Sequence, residues 1–232
     1  HEKRGFSNQM KELSESFIEM SRVTNILREP ALQEAINSLK LPTGSRGLDT
    51  GCSVGRQTML LADAVSPSGH VTGLDMSSEV LDYATRSAEM AGYGSRTTFV
   101  EGDIHAYHFK NDTFDWAWSS DCIGYAPITP RPLLRELARV VRPGGIVAIL
   151  AWSSENLLPG YPELEARLHA TAAGIAPFTR CSEPESHFLR ALGWFRDAKL
   201  EQPSVRTFAG NVFAPLSDDL RSALDELFAM RW

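Results

Sequence analysis

Five short apolar runs rich in β-branched residues, at 46–50, 70–75, 97–101, 114–119 and 145–151, are separated by helix-periodic segments at 55–65, 78–91 and 131–141. This alternation marks strands laid parallel, because parallel neighbours need a crossover long enough to return along the sheet. The expected fold is α/β: a Rossmann-like, doubly wound, mostly parallel sheet in three α/β/α layers. A chain of 232 residues buries one core of that size, so a single domain is expected.

The flanks are less regular. Residues 6–40 read as helical, with Phe17, Met20, Val23 and Ile26-Leu27 at helical spacing, followed by Leu32, Ile36 and Leu39. Pro30 is expected to open a second helix, since a first turn tolerates proline and an interior turn does not. Pro143-Gly144-Gly145 is expected to end the third crossover helix and lead into the last strand. Residues 153–195 hold Pro159, Pro162, Pro177 and Pro184 around two expected helices, 161–174 and 184–192. Such a stretch is either a substrate cap or one crossover with decorated loops. A strand is predicted at 197–208 and an amphipathic helix at 217–230, through Leu220, Leu224, Leu227 and Phe228. The expected plan is a helical lid (6–40), a cofactor-binding core (46–152), a possible cap (153–195) and a C-terminal strand and helix (196–232).

Ligands of parallel sheets bind at the carboxyl ends of the strands, where strand order reverses. The first strand ends at Asp49, and its loop carries Gly51 and Gly55, which allow a tight turn and close backbone approach. The dinucleotide fingerprint G-x-G-x-x-G is absent, because Ser53 and Thr58 stand where its second and third glycines belong. The second strand ends at Asp75, 20 residues after Gly55, where a carboxylate can accept ribose hydroxyls. The third ends at Asp103. A single aspartate at such a place is most often a cap or loop residue, but three at consecutive strand tips point to a nucleoside pocket.

With these residues in place, the chain resembles the class I S-adenosylmethionine-dependent methyltransferases, near the ubiquinone- and menaquinone-pathway group. The segments LDTGCSVG, HVTGLDMS, EGDI, NDTFDWAWSS and LLRELARVVRPGGIVAIL carry the likeness over roughly residues 46–152. The resemblance implies the cofactor S-adenosylmethionine and the product S-adenosylhomocysteine. It also implies that Asp49, Gly51, Ser53 and Gly55 surround the methionine end, and that Asp75 binds the ribose. Met76 would pack on the adenine, Asp103 and Ile104 would meet its amino edge, and Ser119 and Ser120 would line the sulfonium end. Ser53 departs from the family, which more often has glycine there.

Methyl transfer from a sulfonium is a displacement of an activated leaving group, so positioning can supply much of the acceleration and no base is obligatory. No catalytic residue is assigned on that account. Asp121 and Tyr125 are the candidate acceptor contacts, Trp152 and Tyr161 possible pocket walls, and Phe6, Phe17 and Arg22 possible lid residues. Trp116 and Trp118 read as core. His70 reads as structural, and His105 and His108 lack the partners of a base or metal site.

A net charge of -6 without a basic block disfavours nucleic acid and favours a small-molecule acceptor. Three scattered cysteines give no disulfide or zinc pattern, and no apolar run or leader is evident, so a cytoplasmic enzyme without metal is expected. The rival expectations are a non-catalytic S-adenosylmethionine-binding protein and a nicotinamide oxidoreductase.

Overall fold

The structure is a computed structural model that describes residues 2–122, 130–171 and 184–231, with side chains described from residue 14 to 229. Five strands form one sheet: β1 (Arg46–Thr50), β2 (His70–Asp75), β3 (Thr97–Glu101), β4 (Phe114–Ser120) and β5 (Val141–Leu150). All pair in parallel, in the order β3-β2-β1-β4-β5, so the order reverses between β1 and β4. The sequence boundaries of β1, β2 and β3 coincide with the observed ones.

Helices cover both faces. On one lie α1 (Glu2–Ser38) and α2 (Arg56–Ala64), where Leu32, Ile36, Leu60 and Leu61 pack on Val71, Trp116 and Trp118. Helix α3 (Ser78–Met90) starts at Ser77, whose hydroxyl accepts the Val80 N–H at 3.3 Å, and buries Val80, Leu81, Ala84 and Ala88. On the other face α4 (Pro130–Val140) buries Leu133, Leu134, Leu137 and Val140 against Leu48, Leu74 and Ala117. Trp116 and Trp118 are core residues, 1% and 2% exposed. Their indole N–H groups donate to Ser45 Oγ and Gln57 Oε1, both at 2.9 Å, which removes the penalty of burying them.

Three expectations are corrected. Pro30 does not open a second helix but lies inside one continuous α1. The bond its missing N–H cannot make is offset by Ala31, Leu32, Ala35 and Ile36, all buried just beyond it. Pro143-Gly144-Gly145 does not precede the last strand; it is an irregularity within it. Phe114 faces Val141 and Trp116 faces Ile146, so the residues between are looped out, and Arg142 bridges back to Asp115 at 2.9 Å. The strand predicted at 197–208 is absent: α6 (Ala191–Asp197) ends there, and residues 203–213 follow without regular structure.

The remaining helices are shorter than expected or end elsewhere. Helix α5 spans Pro162–His169 in place of 161–174, and residues 172–174 lie outside the described ones. Two short 3₁₀ turns, Pro184–Ser186 and Phe188–Arg190, precede α6. Helix α7 (Asp218–Arg231) lies against α1. Among the described residues no helix is long and apolar enough to cross a membrane.

Candidate functional site

The loop after β1 is shaped by two glycines in the left-handed region, Gly51 at φ 72° and Gly55 at φ 77°. Gly51 donates its N–H to the Leu74 carbonyl at 2.8 Å, fixing the loop to the end of β2. Gly55 begins α2, and a Cβ there would sit 2.8 Å from Phe99 Cζ and 3.0 Å from Ala84 Cβ. Between them Ser53 also adopts positive φ, 50°. The backbone therefore asks for glycine at position 53, which accounts for the family preference. Ser53 is held in that conformation by its N–H, which donates to Asp75 Oδ2 at 2.9 Å.

Asp75 thus joins two strand tips. Its Oδ2 takes the loop of β1, while Oδ1 takes the Met76 and Ser77 N–H groups at 2.8 and 3.2 Å. A carboxylate offers about four acceptor positions, so one remains for a ligand hydroxyl. Met76 beside it is 68% exposed, an apolar surface at the carboxyl end of β2. Asp49 lies on β1 beneath the loop, 1% exposed, and receives the Thr58 hydroxyl at 2.6 Å. Burial raises its carboxyl to about 7; the Thr58 bond works against that rise and the Asp75 charge adds to it. Asp103, past β3, accepts the His105 N–H at 2.9 Å, with Ile104 buried alongside.

At the tip of β4 the two serines differ. The Ser119 hydroxyl donates to the Thr50 carbonyl at 3.3 Å, tying β4 to β1. The Ser120 hydroxyl is buried and has no hydrogen-bond partner among the described residues, a state that costs on the order of 1–3 kcal/mol until a ligand or water satisfies it. Cys52 and Cys122 are free, and burial pushes both thiols up, the reverse of what a reactive cysteine needs.

Asp121 is engaged within the fold on each of its oxygens. Its Oδ2 accepts from Arg28 Nη1 at 3.0 Å and its Oδ1 from the Trp152 N–H at 2.8 Å, while its own N–H donates to the Leu150 carbonyl at 2.9 Å. It binds α1, β4 and β5 together, with φ at 50°. Tyr125 lies outside the described residues. Arg22 does not reach the site; it pairs with Glu19 on its own helix. The α1 residues that do are Arg28 and its neighbour Glu29, which holds Arg56 at the start of α2 with Arg56 Nε 2.8 Å from Glu29 Oε2. Arg28 also stacks over Trp152, 5.0 Å from the ring centroid. Nothing in the sequence marks Arg28 or Glu29, because both pairings join residues far apart in the chain. Tyr161 is 63% exposed, and His70 bonds Thr98 Oγ1 at 2.9 Å within the sheet.

The residues present suit a nucleoside with a cationic tail. An unsatisfied hydroxyl, a carboxylate with room for a sugar hydroxyl, and an exposed methionine provide complementary contacts. A diphosphate would instead lie among the carboxylates of Asp49, Asp75 and Asp103, which disfavours a dinucleotide.

Comparison with known proteins agrees. Residues 48–145 match the family profile described as a methyltransferase domain. The demethylmenaquinone methyltransferase of Anoxybacillus flavithermus is 27% identical over 198 residues, 85% of this chain and 80% of that protein. The corresponding protein of Bacillus licheniformis is 32% identical over 126 residues, 54% of this chain and 52% of that protein, so the match spans about half of that relative. In architecture, the chain superposes on an S-adenosylmethionine-dependent methyltransferase from Aquifex aeolicus with a TM-score of 0.56. That superposition has 19% identity and covers 77% of this chain and 87% of that one. Five parallel strands in this order, acidic residues at three consecutive tips, and a methyltransferase-domain match over residues 48–145 make the chain similar to the class I S-adenosylmethionine-dependent methyltransferases.

Proposed function

We propose that this protein transfers the methyl group of S-adenosylmethionine to a small-molecule acceptor by in-line displacement, at the crevice between β1 and β4. When bound, the cofactor supplies a methyl group on a sulfonium sulfur that departs as a neutral thioether. The protein contributes binding and alignment. Asp75 takes a ribose hydroxyl, Met76 lies on the adenine, and Asp103 accepts from its amino group while the Ile104 N–H donates beside it. Gly51, Ser53, Gly55 and Asp49 enclose the methionine end, and Ser119 and Ser120 border the sulfonium. Helix α1 acts as a lid, pinned at Arg28 and Glu29.

The observation that carries the cofactor assignment is the Asp75 carboxylate, fixed by three backbone N–H groups and still able to accept one hydroxyl. A small acceptor is supported by the net charge of -6 and by the quinone-derivative names of the relatives. Calorimetric titration with S-adenosylmethionine, S-adenosylhomocysteine and NAD tests the assignment. Both adenosyl compounds are expected to bind and NAD to fail; tight NAD binding without either of them would overturn it.

A further inference from the structure

Pleating of β4 puts Ser120 on the same face as Trp116 and Trp118, the face that packs against α1 and α2. Its hydroxyl, in a residue only 8% exposed, has no partner among the described residues. The next residue, Asp121, has both carboxylate oxygens taken, one by Arg28 and one by the Trp152 N–H. Arg28 commits one nitrogen to Asp121 at 3.0 Å, keeps a side chain 38% exposed, and stacks on the Trp152 ring at 5.0 Å. A guanidinium has five donors, and among the described residues only one is committed, to Asp121.

The charge of Arg28 is out of character with its surroundings. Asp75 and Asp103 give the strand tips a negative rim suited to a cationic methyl donor, with Asp49 buried beneath it. A guanidinium at that rim works against the donor unless it also meets an anion, and Asp121 offers it a single contact. We propose that Arg28, Ser120 and Trp152 form the acceptor subsite, and that it takes a planar acceptor bearing an anionic oxygen: a carboxylate, phenolate or enolate. The inference rests on the methyl-transfer reading above. Arg28 pairs with the anionic oxygen, the Ser120 hydroxyl donates to it, and the planar body lies against Trp152. An acceptor that arrives ionised needs no proton removed, which suits a site whose Asp121 is already engaged on both oxygens. Asp121 then acts as a positioning residue.

The test uses protein saturated with S-adenosylhomocysteine, whose own binding is measured first. Benzoate and 4-nitrophenolate are titrated against their neutral counterparts, benzamide and 4-nitroanisole, at about pH 8, where both anions are ionised. At least one anion is expected to bind roughly tenfold tighter than its counterpart, and which one distinguishes a carboxylate from a phenolate site. Arg28→Gln is expected to erase that preference, and Arg28→Lys, which keeps the cation and the link to Asp121, to retain part of it. Ser120→Ala is expected to weaken the anion several-fold without lowering the melting temperature, since the hydroxyl has no partner among the described residues. Equal binding of anion and neutral probe, or a preference that survives Arg28→Gln, would overturn the subsite. Failure of S-adenosylhomocysteine to bind would overturn the methyl-transfer reading and the subsite with it.

Discussion

The two sides of the β1/β4 crevice are built by different means. On the β1–β3 side, each carboxylate is fixed by groups close to it in sequence or on the next strand tip: Thr58 for Asp49, Met76 and Ser77 for Asp75, His105 for Asp103. On the β4–β5 side, the contacts span the chain, with Arg28 and Asp121 separated by 93 residues and Asp121 and Trp152 by 31. A site made of local turns tolerates change elsewhere and is recognisable in many chains. One made of distant pairings can vary from protein to protein, and that suits the side where acceptors differ.

The largest effect is expected from Gly55→Ala. It forces a left-handed residue and sets a methyl 2.8 Å from Phe99 Cζ, which costs about 2–4 kcal/mol in urea unfolding. A neutral result would mean that the loop is less rigid than its turns imply. Next, Asp75→Ala removes the acceptor for three N–H groups. It is expected to weaken S-adenosylmethionine at least about tenfold and to destabilise the fold by about 2 kcal/mol; unchanged affinity would refute the ribose role.

Asp49 sharpens the comparison through pH. Folded, its carboxyl titrates near 7, and unfolded near 3.8. Between those values the folded protein holds a proton that the unfolded chain has lost. The contribution of this group to stability is therefore greatest in acid, declines as pH rises toward 7, and is flat above. Asp49→Asn is expected to remove that slope, so denaturation midpoints of variant and parent should diverge most above neutrality, with the variant higher. The smallest effect is expected at Ser53→Gly, which relieves positive φ and raises stability by at most about 1 kcal/mol. A loss there would show that the serine hydroxyl bonds something the backbone alone does not explain.

What the sequence discloses follows the same division. The ends of β1, β2 and β3, the crossover helices α2 and α3 to within about a residue, and the three acidic tips are written in local periodicity and turn residues. The family segments cover the same stretch. Pro30 misleads because a propensity rule is outweighed by the burial of Ala31, Leu32, Ala35 and Ile36. Residues 197–208 mislead because Val205, Thr207 and Phe208 have strand propensity, yet a strand forms only where it pairs, and this segment joins neither edge of the sheet. Asp121 was recognisable as a polar residue at a strand tip, but its partners come from α1 and from beyond β5, which no spacing reveals.

Arg28 and Glu29 are consecutive on α1, yet they fasten to opposite sides of the crevice, one to Asp121 after β4 and the other to Arg56 after the β1 loop. On the proposed reading of α1 as a lid, a helix pinned on both banks lies across the route that a ligand takes. Departure of a spent cofactor is then paced by the opening of two partly exposed ion pairs, which screening by salt weakens. Raising ionic strength is accordingly expected to shorten the residence time of S-adenosylhomocysteine more than it changes its affinity, making the helix a regulator of turnover and not only of binding.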